Sequence, residues 1–107
     1  MRPVLHGDVV AAARALLTLP EAARPAAIQR MLVLADAADA YRKRFGRAHS
    51  AWGNGSLMAA AMPAVRGPEP FLDAPDYCRC LSLVFDTLVM WRSERAALNR
   101  GRACGPD

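Results

Sequence analysis

The stretch from Asp73 to Gly101, DAPDYCRCLSLVFDTLVMWRSERAALNRG, decides the fold class. Apolar residues fall at Tyr77, Leu81, Val84, Leu88, Trp91 and Leu98. Their three- and four-residue spacing makes one stripe along an α-helix. Asp73, Pro75 and Asp76 supply a start: a capping side chain, a proline in the first turn and a carboxylate three residues on. Arg92, Arg95 and Arg100 collect where the helix dipole favours cations, and Gly101 is placed to close the helix. So long a stripe in so short a chain asks for a partner helix, from this chain or from another copy.

The rest of the chain extends the same pattern upstream. Between Pro25 and Phe45, Ala27, Met31, Leu34, Ala38, Tyr41 and Phe45 alternate four and three apart, close to a heptad. Asp39 precedes Lys43 by four residues, the favourable order for a helical ion pair. Gly46 follows Arg42, Lys43 and Arg44 as a stop. Near the start, Gly7 and Asp8 open a first helix with Val9, Ala13, Leu16 and Leu17 on its buried side, ending before Pro20. Thr18 and Glu21 carry the spacing of a capping box. Ser56 caps a short helix, Leu57 to Met62, which stops at Pro63. Four prolines between Pro63 and Pro75 predict a stiff connection, with Phe71 and Leu72 anchoring it to the core. The expected fold is all-α: a small helical domain over residues 1–101, built around two long amphipathic helices as a helical hairpin, with short N-terminal and linker helices. Residues 102–107 are expected to form a disordered tail.

Composition agrees. The chain has 107 residues, enough for one modest core, and β-branched residues are few. Basic residues number 14 against 10 acidic, a net +4, and thirteen of the 14 are arginine. Such a surface is either a set of solvated helix ends or an anion-binding face. Three cysteines, Cys78, Cys80 and Cys104, fit neither a redox pair nor a zinc knuckle, and suggest a reducing compartment. The opening residues lack an apolar segment of signal length, and no run approaches the ~20 apolar residues of a membrane span. A cytoplasmic protein with no membrane association is expected.

Chemistry-bearing patterns are scarce. His6 and His49 have no carboxylate or cysteine at helical ligand spacing, so neither metal nor cofactor is expected. No nucleophile–base pair and no phosphate-binding glycine loop is evident, and no enzyme is expected. Arg42, Lys43, Arg44 and Arg47 place four cations within six residues, suited either to phosphates or to the dipole at a helix end. Arg92, Arg95, Arg100 and Arg102 share that ambiguity. The loop HSAWGNGS, His49 to Ser56, is either a recognition loop presenting Trp52 or a tight turn folding Trp52 over the core. Trp91 reads as core or as a contact with another subunit.

The opening PVLHGDVVAAAR (3–14), the loop WGNGSLM (52–58) and PFLD (70–73) together resemble the small terminase proteins of alphaproteobacterial gene transfer agents. That resemblance implies a non-enzymatic DNA-packaging adaptor. It would oligomerise through helical stripes, bind double-stranded DNA weakly without strong sequence preference, and deliver it to the large terminase subunit. On this reading Arg42, Lys43, Arg44 and Arg47 hold DNA. Met31, Leu34, Tyr41, Leu81, Leu88 and Trp91 form the oligomer interface, and Trp52, Arg100 and Arg102 meet the partner. The alternative is a helical protein–protein adaptor or regulator with no nucleic-acid role. Salt separates the two: phosphate contacts weaken steeply with ionic strength and apolar docking does not.

Overall fold

The computed structural model describes the backbone of residues 1–103 and the side chains of residues 1–100. Helix α1 spans His6–Leu16, α2 Arg24–Phe45, α3 Leu57–Ala61 and α4 Pro75–Ala103. Single 3-10 turns cover Glu21–Ala23 and Met62–Ala64. Among the described residues there is no strand, only an isolated bridge between His49 and Gly53. The all-α fold with two long helices is as the apolar spacing predicts.

Helix α1 starts on Asp8, whose carboxylate accepts the Leu5 N–H at 2.8 Å and, with its other oxygen, the Met58 N–H at 2.9 Å. One side chain thus caps α1 and ties it to the first turn of α3, where Ser56 Oγ accepts the Ala59 N–H as expected. Val9, Ala12, Ala13 and Leu16 are buried, and the run of alanines lets neighbouring helices approach closely. The capping box expected at Thr18 does not form. Thr18 Oγ1 instead donates to the Ala15 carbonyl, which also accepts the Thr18 N–H, and Pro20 leads into the 3-10 turn. Pro25 stands in the first turn of α2, and Gly46 ends that helix in a left-handed conformation, φ 71°.

Ion pairs fix the directions of the helices. Arg24 at the start of α2 binds Asp76 at the start of α4, and Asp36 further along α2 binds Arg95 further along α4. The two long helices therefore lie side by side and run the same way. Helix α1 runs opposite to both: the Met1 amine reaches Asp36 and Asp39, while the Leu16 carbonyl reaches Arg24. The chain reversal is the α1–α2 corner, and α4 lies chiefly on α1.

This arrangement corrects four expectations. The two long helices run parallel and so do not form the expected hairpin with each other. The α4 stripe is covered by the chain itself as far as Trp91. Tyr77 and Val84 are buried, and Leu81, Leu88 and Trp91 are half-buried against the same core. Of the stripe only Leu98 is exposed, and the helix passes through Gly101 to Ala103. On α2 the buried residues are Arg24, Ala27, Ile28, Leu32, Ala35, Ala38 and Asp39, so Ala27 and Ala38 of the expected stripe face the core while Met31, Leu34 and Tyr41 are half-buried and Phe45 is exposed. The heptad reading passed over Ile28, Leu32 and Ala35 and could not foresee a buried carboxylate. Finally, Phe71 and Leu72 point outward, 82% and 71% exposed. Their backbone carbonyls are what the turn uses, accepting from Ala74 N–H and Cys78 Sγ–H. The connection is held instead by the Arg14 guanidinium, which donates to the Gly67 carbonyl at 2.6 Å. Arg102's side chain, Cys104 and the expected tail from 104 onward lie outside the described residues.

Candidate functional site

The four cations at the end of α2 do not form one set. The Asp39 carboxylate is buried, and it accepts from Arg42 at 2.8 Å. It also pairs with Lys43 at 3.1 Å and the Met1 amine at 3.3 Å. Asp36 takes the same amine at 2.7 Å, together with Arg95. Arg44 and Arg47 are exposed, Arg44 lying over the Phe45 ring at 5.4 Å. Two of the expected DNA contacts are thus drawn towards a structural carboxylate, and two face outward.

Burial alone would raise the Asp39 carboxyl. Hydrogen bonds from Arg42, Lys43 and the Met1 amine outweigh it and bring the group down to about 2. A depressed carboxyl contributes stability that is present above its unfolded value and lost as pH falls through its folded one. Thermal melts in acid are therefore expected to hold steady down to roughly pH 4 and fall steeply between about 4 and 2. Asp39→Asn should flatten that fall. An unchanged acid profile in the variant would show that other carboxylates govern it.

Beyond Gly46 the chain folds back over the same end of α2. His49 Nδ1 accepts the N–H groups of Ala51 and Trp52, both at 3.0 Å, which leaves the neutral ring its proton on Nε2. The His49 and Trp52 rings stack 3.9 Å apart, and Tyr41 meets both edge-on. Tyr41 also touches Phe45, 4.5 Å between centroids. Trp52 is thus neither free nor in the core: it rests on this aromatic cluster with 39% of its surface exposed. Gly53 and Gly55 take the left-handed angles expected of Gly-Asn-Gly, φ 86° and 92°.

Next to Trp52, α2 and α3 leave an open apolar groove of about 750 Å³, lined by Met31, Val33, Leu34 and Ala60 among others, with Arg30 its only charged lining residue. Two of the six expected oligomer residues, Met31 and Leu34, fall there. Tyr41 belongs to the aromatic cluster, and Leu81, Leu88 and Trp91 pack on the chain's own core. Arg95 stacks over Trp91 at 4.6 Å. Arg100 is exposed, and nothing in the described structure brings it near Trp52.

Sequence reasoning missed a second apolar set on α4. Phe85, Val89 and Met90 are 51%, 66% and 57% exposed. Phe85 and Val89 stand four apart, the spacing of a stripe, but the longer inner stripe masked them.

Residues 2–88 match the family described as a domain of unknown function, DUF7742. The chain belongs to this family. No curated protein and no solved structure matches it. The DUF7742 match takes in α1 to α3, the aromatic loop, the groove and the first half of α4.

Reactive groups in this DUF7742 domain do not converge. Among the described residues, no three of His, Cys, Asp and Glu are placed to hold a metal ion. Cys78 is exposed, with its thiol donating to the Leu72 carbonyl, and Cys80 is buried, which pushes its thiol up. The Tyr77 hydroxyl is buried with no partner at hydrogen-bonding geometry, and burial, with Glu69 nearby, raises it too. Among the described residues, no helix is long and apolar enough to cross a membrane. What the domain offers is surface: an apolar groove, an outward stripe and exposed arginines, Arg44 and Arg47 among them.

Proposed function

We propose that this chain is a non-enzymatic DNA-packaging adaptor of the small-terminase kind, working in the cytoplasm. It assembles with copies of itself, binds duplex DNA weakly and without strong sequence preference, and passes it to a large terminase subunit. The sequence resemblance suggests this reading. The observation that carries it is the presence of two surfaces on one closed domain: an apolar groove suited to a helix, and exposed Arg44 and Arg47 at and just beyond the end of α2. Arginines that reach phosphates without base contacts give affinity with little sequence discrimination.

The test is duplex binding by fluorescence anisotropy across a salt series. Arg44→Glu/Arg47→Glu leaves the Asp39 ion pairs intact. It is expected to weaken binding at least ~10-fold at low salt and to reduce the slope of log K against log salt by about two, since each phosphate contact contributes ~0.9. The oligomeric mass should not change. Equal binding by the variant would remove these arginines from the interface.

One observation favours the second reading, a protein–protein adaptor with no nucleic-acid role. Arg42 and Lys43 spend their charge on Asp39, and the groove carries a single cation. On that reading no salt-dependent DNA binding is measured at any ionic strength.

A further inference from the structure

Two of the apolar surfaces that face solvent among the described residues lie on helices: the α2–α3 groove and the Phe85–Val89 side of α4. A chain cannot join its own two. The Asp36–Arg95 pair fixes α4 on one flank of α2, and Leu34, which lines the groove, is two residues from Asp36, about 200° around the helix. The groove therefore opens on the flank turned away from α4. We propose that it receives the outward face of α4 from a second copy of this chain, with Phe85 and Val89 entering the groove and Asp86 meeting Arg30. This rests on the self-assembly reading above and names the surfaces that perform it.

Charge selects this occupant. Arg30 is the groove's only charged lining residue, and among the described residues it is exposed and makes no ion pair. Asp86 adjoins Phe85, precedes Val89 by three residues, and is likewise exposed with no ion pair among the described residues. Seating the stripe brings an unpaired anion to an unpaired cation at the edge of an apolar contact, where each limits the wrong registers. Shape agrees: anchors at i and i+4 are how an amphipathic helix fills a groove, and the open space accommodates two or three large side chains. An apolar floor with one cation is a poor seat for a phosphate backbone. Because the two surfaces differ, repeating the contact in one sense either closes a ring or extends a chain of subunits.

The experiment uses the full chain and measures mass against concentration by light scattering and sedimentation, with circular dichroism to confirm folding. The wild type is expected to self-associate. Arg30→Glu and Asp86→Lys should each weaken association at least tenfold, and the double variant should restore it to within about threefold. Val89→Asp, at an exposed position, should abolish it while the helical signal persists. Assembly that none of these variants alters would overturn this docking and leave self-assembly standing on other surfaces. A wild type that stays monomeric at every concentration would overturn self-assembly and docking together, and would leave the groove to a helix of another protein.

Discussion

Gly55→Ala is expected to lower the melting temperature by on the order of 10–25 °C, taking ~4–8 °C per kcal/mol for a domain of this size. Two costs add. Gly55 sits at φ 92°, where an L-residue is strained by about 1–2 kcal/mol. A Cβ there would also lie 2.7 Å from both Cα and Cβ of Asp39. That neighbour is buried helix backbone, not a flexible side-chain end, and relieving such overpacking costs a further ~1–3 kcal/mol. The Gly55 carbonyl accepts the Arg2 N–H at 3.0 Å, so a displaced loop also releases the N-terminal segment. Gly46→Ala is the control. Its φ is 71° but nothing lies within 4 Å of the added carbon, so only the conformational cost of about 1–2 kcal/mol applies. Thermal melts of the two variants should separate clearly. Equal shifts would mean that the loop does not press on α2 as closely as the structure has it.

The same glycine shows what can be read from sequence here. Gly-Asn-Gly announces left-handed backbone, and both glycines adopt it. It does not announce that Gly55 lies against Asp39, because close approach between segments sixteen residues apart has no local signature. The helices follow from periodicity alone, since a stripe of apolar side chains is a local property. Which face of α2 turns inward does not. The inward face holds Asp39, too polar to register in an apolar count, and its carboxylate and backbone meet the Met1 amine and the Gly55 loop on that side. Likewise the α4 stripe is visible, but its cover is not. The alanines of α1 that let α4 approach look like simple helix formers until the packing is known.

The site was legible in part for the same reason. Counting charges finds Arg42, Lys43, Arg44 and Arg47 together, and only the fold divides them into two on Asp39 and two outward. Met31 and Leu34 are readable as a packing surface, and they do line the groove. The opposite wall comes from Ala60 and Ala64, whose sequence carries no trace of it. Phe85 and Val89 were readable in principle. They compete with a longer stripe on the same helix, and a helix apolar on two sides signals a second contact only once the first is known to be filled.

Arg24→Ala is expected to cost about 1–3 kcal/mol, the range for leaving a buried hydrogen-bonding group without its partner. The Arg24 side chain is 7% exposed and serves three groups at once. Its Nε donates to the carbonyls of Leu16 and Leu19, at 3.0 and 3.2 Å, closing the end of α1. Its two terminal nitrogens grip the Asp76 carboxylate at 2.8 and 2.9 Å, the paired geometry that lysine cannot reproduce. Without it, the Leu19 carbonyl loses its donor, the Leu16 carbonyl keeps only the Leu19 N–H, and the starts of α2 and α4 lose their link. Asp76 is different, because it is half exposed and water can take its place. Asp76→Asn is therefore expected to cost clearly less than Arg24→Ala. Arg24→Lys should fall between, keeping the charge but not the fork. Urea unfolding of the three variants gives the order directly. If Asp76→Asn is as costly as Arg24→Ala, the carboxylate and not the carbonyl pair holds the corner. If all three cost under about 1 kcal/mol, the helix packing fixes the direction of α4 by itself and Arg24 only decorates it. The distinction reaches the proposed assembly. The outward stripe of α4 faces where it does because both ends of the α2–α4 contact are pinned, at Arg24–Asp76 and at Asp36–Arg95. Arg24→Ala should therefore loosen self-association in the range of urea where the helices are still formed.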